Sequence, residues 1–308
     1  MADSIRKRRA HKGLRVDRRM GATVHGQAAI VVSLGLIGLA MLLPFVNEIA
    51  KSLSHPEFVN RGLVSFWPQG FTLRNYQHFF DSEYRGLWRA FFNSIYITSI
   101  GTVWSVFFTA CMAYPMSKTH KAFRAGPALS LLIVFAIVFF PPMIPYFLAV
   151  RGYGLMNTRW VIILAHTIGP FYLIIVRTFF RGLPQDLFDA ADIDGASDIR
   201  QALQLAFPLA KPALATIGIY TAVLLWNVYL HSLLFIRDAS LMPLQPVVRS
   251  LMASSGDTGE VTLVYDAFRN AESTKSALLI ISIIPIALVY PLLQKHFTKG
   301  ALLGSVKS

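Results

Sequence analysis

The stretch DAADIDGASDIRQALQLAFPLAKP (residues 189–212) carries four aspartates, yet it lies between segments apolar enough for lipid. Those neighbours set the frame. The 308 residues are 54% hydrophobic and only 15% charged, with a mean hydropathy of +0.51. Soluble domains carry about a quarter charged residues, so the composition assigns the chain to the membrane class.

A spanning helix needs about 20 apolar residues to cross a hydrocarbon core of about 30 Å. Six segments are expected to do so: residues 28–46, 91–114, 126–149, 160–176, 208–236 and 276–294. The fifth is long enough to tilt or to project from the bilayer. Trp88 and Trp160 stand at span ends, as interfacial anchors do. The expected fold is all-α and polytopic: a basic tail over residues 1–27, then a six-helix transmembrane domain over residues 28–308.

The net charge of +13 raises nucleic acid as a partner, but the distribution excludes it. Lys and Arg sit at the margins of the apolar runs, where topology places them. The segments on the tail's side hold 18 of them and the opposite segments 11. The excess marks the cytoplasm, which places both termini and residues 189–212 inside. With five spans after it and no small-residue cleavage site, residues 28–46 read as a signal anchor. The lone Cys111 rules out a disulfide framework.

None of the six spans contains Asp or Glu. Intramembrane carboxylates are the usual proton and ion relays, so a secondary transporter of a small polar solute is the weaker alternative. A phosphate-cradling Walker A loop is absent as well. Uphill transport would then draw its energy from another chain. His166 and His231 are the only span histidines and have no nearby acid, so no catalytic or metal constellation forms.

The charged stretch reads as helix, turn, helix. Pro184 suits a first helical position, and Leu187, Phe188 and Ala191 fall on one face. Gly195 can take the left-handed conformation that ends a helix. Ser197 suits the next N-cap, with Asp198 in the first turn. Ile199, Leu203 and Phe207 then share a side, and Pro208 marks the return to the membrane.

Asp189, Ala190, Ala191, Gly195, Leu205, Phe207 and Pro208 reproduce the spacing of E-A-A-x3-G-x9-I-x-L-P. That signature belongs to ABC importer permeases, which the chain therefore resembles. Departures are Asp for Glu, Leu for Ile and Phe for Leu. FWPQGFTLRNYQHFF (residues 66–80) resembles the W-P-x-x-F-T-L-x-N-Y segment of the maltose-transporter (MetI-like) group. The tail from residue 280 resembles that group's last span and its G-x-x-x-G-x-V-K ending. LPF and KSLS within residues 43–54, with the long last loop, are similar to its oligosaccharide-importing branch.

The resemblance implies a type I importer permease in a bacterial inner membrane. Its coupling helices, residues 184–207 here, would dock on one of two ATPase subunits. ATP and Mg would bind there, leaving this chain without cofactor or catalysis. It also implies a second, homologous permease subunit and an extracytoplasmic sugar-binding protein. The 39-residue loop over 237–275 would reach into that protein through Ser254, Ser255, Gly256, Asp257 and Gly259. Within the spans, Pro141, Pro142 and Pro145 are expected to kink the third helix. Trp226, Asn227, Tyr229 and His231 form a polar-aromatic cluster suited to sugar rings or to interhelical bonds.

Overall fold

The computed structural model describes residues 24–80, 85–119, 123–139, 141–253 and 272–305, and side chains only to residue 288 in the last helix. Among the described residues there are helices and no strands. Residues up to Asn47 form one compact unit and residues from Glu48 form the other. The first unit holds most of α1 (Val24–Ser52), apolar around its whole circumference from Ile30 to Val46, the pattern of a helix in lipid.

The second unit begins with α2 (Pro56–Asn60) and α3 (Arg74–Phe80). Asn75 ties this hairpin-like entrance together, donating to the carbonyls of Ser52 and Ser54 at 2.9 Å each. The KSLS and LRNY motifs thus close on one another. The long helix α4 (Arg85–Ser117) follows. It packs along α11 (Lys211–Trp226) and α8 (Pro170–Arg181).

Lipid tails supply no hydrophobic drive between helices, so close approach over small residues does the work. At Gly101 a Cβ would stand 2.6 Å from Leu225 Cδ1, and at Gly218 it would stand 3.4 Å from Val106 Cγ2. The two helices run antiparallel through two apolar cores. One contains Leu87, Ile97 and Leu225, the other Ala113, Met116 and Ile217.

Helices occupy all six predicted spans, but three are not continuous. The third is α5 (Gly126–Val138) and α6 (Met143–Gly152). The fourth is α7 (Trp160–Ala165) and α8, separated at His166–Gly169. The fifth is α11 and α12 (Leu230–Phe235), interrupted at Asn227–Tyr229. By length and composition α1 and α4 each suffice to cross a membrane, and one bent pair makes a third. Hydropathy averages over such breaks, because one turn of irregular backbone hardly lowers a 20-residue mean.

The proline expectation is corrected in part. Pro141 and Pro142 make the break, with Pro142 the N-cap of α6. Pro145 lies in the first turn of α6, where its missing N–H removes no helical bond.

The last predicted loop is more ordered at its start than a connector. A 3-10 turn (Ala239–Leu241) leads to α13 (Leu244–Ala253), whose Leu244, Val247, Val248 and Leu251 are buried. Asn93 donates to the carbonyls of Ser240 and Met242 at 2.9 and 3.0 Å, and Ser94 Oγ accepts from Leu244 N at 2.7 Å. The last described element is α14 (Glu272–Ser305). The candidate residues Ser254, Ser255, Gly256, Asp257 and Gly259, and the basic tail before Val24, lie outside the described residues.

Candidate coupling site and transport path

Residues 189–212 fold as a helix, a glycine turn and a second helix. α9 (Gln185–Ile193) starts one residue later than expected, with Pro184 as its N-cap rather than its first helical residue. It ends in a Schellman motif. Ala196 N donates to Ala191 O at 2.9 Å and Gly195 N to Asp192 O at 3.1 Å, with Gly195 at φ +71°. Ser197 caps α10 (Asp198–Leu209), its Oγ accepting from Arg200 N at 3.4 Å.

The middle of α10 widens into a π turn over Ala202–Ala206. It precedes Pro208, which offers no N–H to the Gln204 carbonyl four residues back. α10 then turns by 76° into α11.

The two faces of α9 differ sharply. Phe188 and Ala191 are buried, Phe188 in one core with Tyr114 and Phe180. Leu187 was expected with them and is instead exposed, standing about 100° around the helix from Phe188. The outward face carries Asp186, Asp189, Ala190 and Ile193, at helical spacing. Ile193 is 88% exposed, an isolated apolar tip among carboxylates. Asp189 has one partner at hand, accepting from Gln185 Nε2 at 3.2 Å. Ile199, Leu203 and Phe207 do share a side. They face a cavity of about 1020 Å³ between α4, α9 and α10, with Ile199 and Leu203 exposed.

A lysine that spacing alone did not single out joins this unit to the long helix. Lys118 follows the end of α4, its ammonium 5.0 Å from the Tyr114 ring and 5.2 Å from the Phe188 ring. The ammonium also donates to Gln201 Oε1 at 3.4 Å and lies 3.6 Å from Asp198 Oδ1. Gln201 is buried and donates in turn to Asp192 Oδ1 at 2.5 Å and to Ala196 O at 3.1 Å. Arg177 Nε donates to Met116 O at 2.9 Å, fixing α8 to the same helix end. One cation and one buried amide thus brace α4, α9 and α10 together. The sequence signal was available only as a Lys at a helix terminus, which is common.

At the other end the three broken spans bring polar aromatic groups together. His166, at the α7–α8 break, has its ring centroid 4.8 Å from that of His231 on α12. Tyr146, in the first turn of α6, lies 5.8 Å from His231. Asn227 is exposed and Tyr229 half-buried at the α11–α12 break, and Arg249 places its guanidinium carbon 4.4 Å from the Tyr229 ring centroid. Trp226 departs from this group. It is 4% exposed and donates from Nε1 to Ser282 O at 3.1 Å, which makes it a strut between α11 and α14. Irregular backbone at membrane depth persists only where protein or a water-filled cavity surrounds it, and here three such breaks lie side by side. Among the described residues no group of His, Cys, Asp and Glu could hold a metal ion.

The family model described as binding-protein-dependent transport system inner membrane component matches residues 105–302. The chain belongs to this family.

The match takes in the coupling unit and all three broken spans of this inner membrane component. It is 40% identical to Protein LplC of Bacillus subtilis (strain 168), over 90% of this chain and 93% of that one. It is 36% identical to the polygalacturonan/rhamnogalacturonan transport system permease protein YtcP of the same organism, over 88% and 94%. It is also similar to a chain in the crystal structure of a bacterial ABC transporter involved in the import of the acidic polysaccharide alginate. There the TM-score is 0.79, with 30% identity over 92% of this chain and 99% of that one. The chain is a polytopic ABC transporter permease.

Proposed function

We propose that this permease is one of two unlike transmembrane subunits of an ATP-driven, binding-protein-dependent importer of oligosaccharides. The carrying observation is the outward face of α9, where Asp186, Asp189, Ala190 and Ile193 stand exposed on a unit braced to α4 through Lys118. Ile193 suits an apolar pocket in an ATPase, the Ala permits close approach, and the carboxylates suit basic residues around it. A push on α9 then reaches the membrane through Lys118 and through α10, which is continuous with the bend into α11. ATP and Mg belong to the ATPase pair; this chain binds neither. The openings at the three broken spans supply the path, with Asn227, Tyr229 and His231 facing it. The loop over residues 254–259 meets the sugar-binding protein outside.

Relatives named for arabinooligosaccharides and for polygalacturonan and rhamnogalacturonan support an oligosaccharide substrate. In membrane vesicles holding the whole transporter, sugar uptake is expected to follow ATP and to survive an ionophore that collapses ion gradients. Uptake lost to the ionophore at constant ATP would instead indicate a secondary transporter.

The charge bias supports a cytoplasmic position for both termini and the coupling unit. Cysteines at Ser197 and Ser254, in a Cys111→Ala background, test this with an impermeant thiol reagent. In intact cells stripped of their outer barrier only the Ser254 site should label. Labelling of the Ser197 site under the same conditions would reverse the orientation.

A further inference from the structure

A cavity of about 480 Å³ opens beside α6, lined by Phe147, Arg151, Met156, Asn157 and Arg237. It is a small-molecule volume, within the usual range of about 300–1,000 Å³ for ligand pockets. Two of its five lining residues are exposed arginines, and neither guanidinium has a hydrogen bond or ion pair among the described residues. Among the described residues no carboxylate lines this space, so an anion entering it meets two positive charges.

The walls are held in place. Asn157 sits at φ +58°, its backbone N donating to Phe235 O at 2.7 Å. Its side-chain oxygen accepts from Arg237 N at 3.0 Å and from Asp238 N at 2.9 Å. The cavity's two polar edges, the α6–α7 turn and the segment after α12, are therefore locked to one another before any ligand arrives. Asp238, the acid next to Arg237, is committed elsewhere. Its carboxylate accepts from Ser240 N at 2.8 Å, and that bond, with help from Arg89, holds it below the usual carboxylate range.

Ring contacts join the cavity to the broken spans. Phe147 stacks on Phe235 at 6.0 Å, and Phe235 in turn meets Tyr146 at 5.4 Å and His231 at 6.1 Å. Arg237 comes ten residues after Asn227, with the single short helix α12 between them. At the break itself Arg249 covers Tyr229. Arg151 on α6 and Arg237 after α12 thus line the cavity, and Arg249 on α13 lies at the α11–α12 break. Arginine rather than lysine suits this place, because its planar fork accepts a carboxylate in a bidentate pair.

We propose that Arg151 and Arg237 receive the carboxylates of an incoming anionic oligosaccharide, so that the permease selects uronate-bearing sugars over neutral ones. This rests on the oligosaccharide-import reading and narrows it.

The test uses membrane vesicles holding the complete transporter and two probes, trigalacturonate and its carboxyl-reduced, neutral counterpart. Each is supplied at concentrations that saturate the sugar-binding protein. In the Arg151→Gln/Arg237→Gln double variant, ATP-dependent uptake of trigalacturonate is expected to fall about tenfold or more, the loss of at least one charge-assisted hydrogen bond. Uptake of the neutral sugar should hardly change. The Arg151→Lys/Arg237→Lys pair should recover part of the loss, since charge returns without the fork. Equal loss of both sugars, or no loss of either, would overturn the proposal. So would loss of binding-protein capture by the Gln variant, which would make the cavity a protein-docking surface. Wild-type uptake of the neutral sugar alone would overturn the uronate assignment and leave oligosaccharide import standing, whereas ATP-independent uptake would remove the importer reading itself.

Discussion

Gly195→Val is expected to abolish coupled uptake while leaving the spans inserted. Gly195 holds φ +71° with nothing within 4 Å of where a Cβ would stand. Space is therefore not the constraint; the backbone is. A left-handed residue with a Cβ costs about 1–2 kcal/mol, and β-branching makes that conformation a genuine outlier. The turn has a cheaper way out, which is to abandon the Schellman bonds from Gly195 and Ala196 and re-aim α9. Since α9 carries the exposed Asp189 and Ile193, re-aiming it misdirects the whole docking face. A graded series separates conformation from bulk. Gly195→Asn should retain most uptake because Asn tolerates the left-handed region, Gly195→Ala less, and Gly195→Val least. Vesicle uptake and capture of the ATPase subunits measure it. Equal uptake across the series would remove the turn from the mechanism.

Much of this unit was legible in the sequence because its parts use local chemistry. A Gly between two short helices and a Ser before an acidic first turn have few other uses, and the structure has both where they were expected. The N-cap was displaced by one residue, since Pro is tolerated at either position. The orientation of Leu187 failed because three apolar residues at i, i+1 and i+4 span too wide an arc for one buried stripe. The broken spans were illegible for a different reason. The third announces its break through Pro141 and Pro142 and the fourth through Gly169 and Pro170, but a hydropathy count weighs neither. The break at Asn227–Tyr229 carries no Gly or Pro, and what packs there comes from another segment, Arg249 lying over Tyr229. Of the two roles its sequence allowed, sugar contact or interhelical bond, Trp226 makes the second, its indole N–H donating to the Ser282 carbonyl. The Lys118 brace is tertiary throughout, joining residues up to 83 positions apart, and no local pattern encodes it.

That brace yields a second large expected effect. Lys118→Met is expected to lower sugar transported per ATP several-fold while the ATPase subunits stay docked. Methionine preserves the apolar stem that packs on Tyr114 and Phe188, so the change isolates the charge. Two interactions go with it, the ammonium over both rings and the hydrogen bond to Gln201. A cation–π contact is worth about 0.5–2 kcal/mol, more where water is excluded, and the Lys118 side chain is only 25% exposed. The ion pair to Asp198 weighs little beside these. Asp198 is 84% exposed, and such surface pairs contribute about 0–1 kcal/mol. Asp198→Asn should therefore be close to silent, and Lys118→Arg should recover part of the coupling. With the ammonium gone, Gln201 still bonds Asp192 and Ala196, so α9 and α10 stay joined to each other. What loosens is their hold on α4, and ATP hydrolysis then moves the coupling unit without moving the long span. Unchanged sugar per ATP in Lys118→Met would refute this, and a Lys118→Met loss matched by Asp198→Asn would move the link from the aromatic rings to the ion pair.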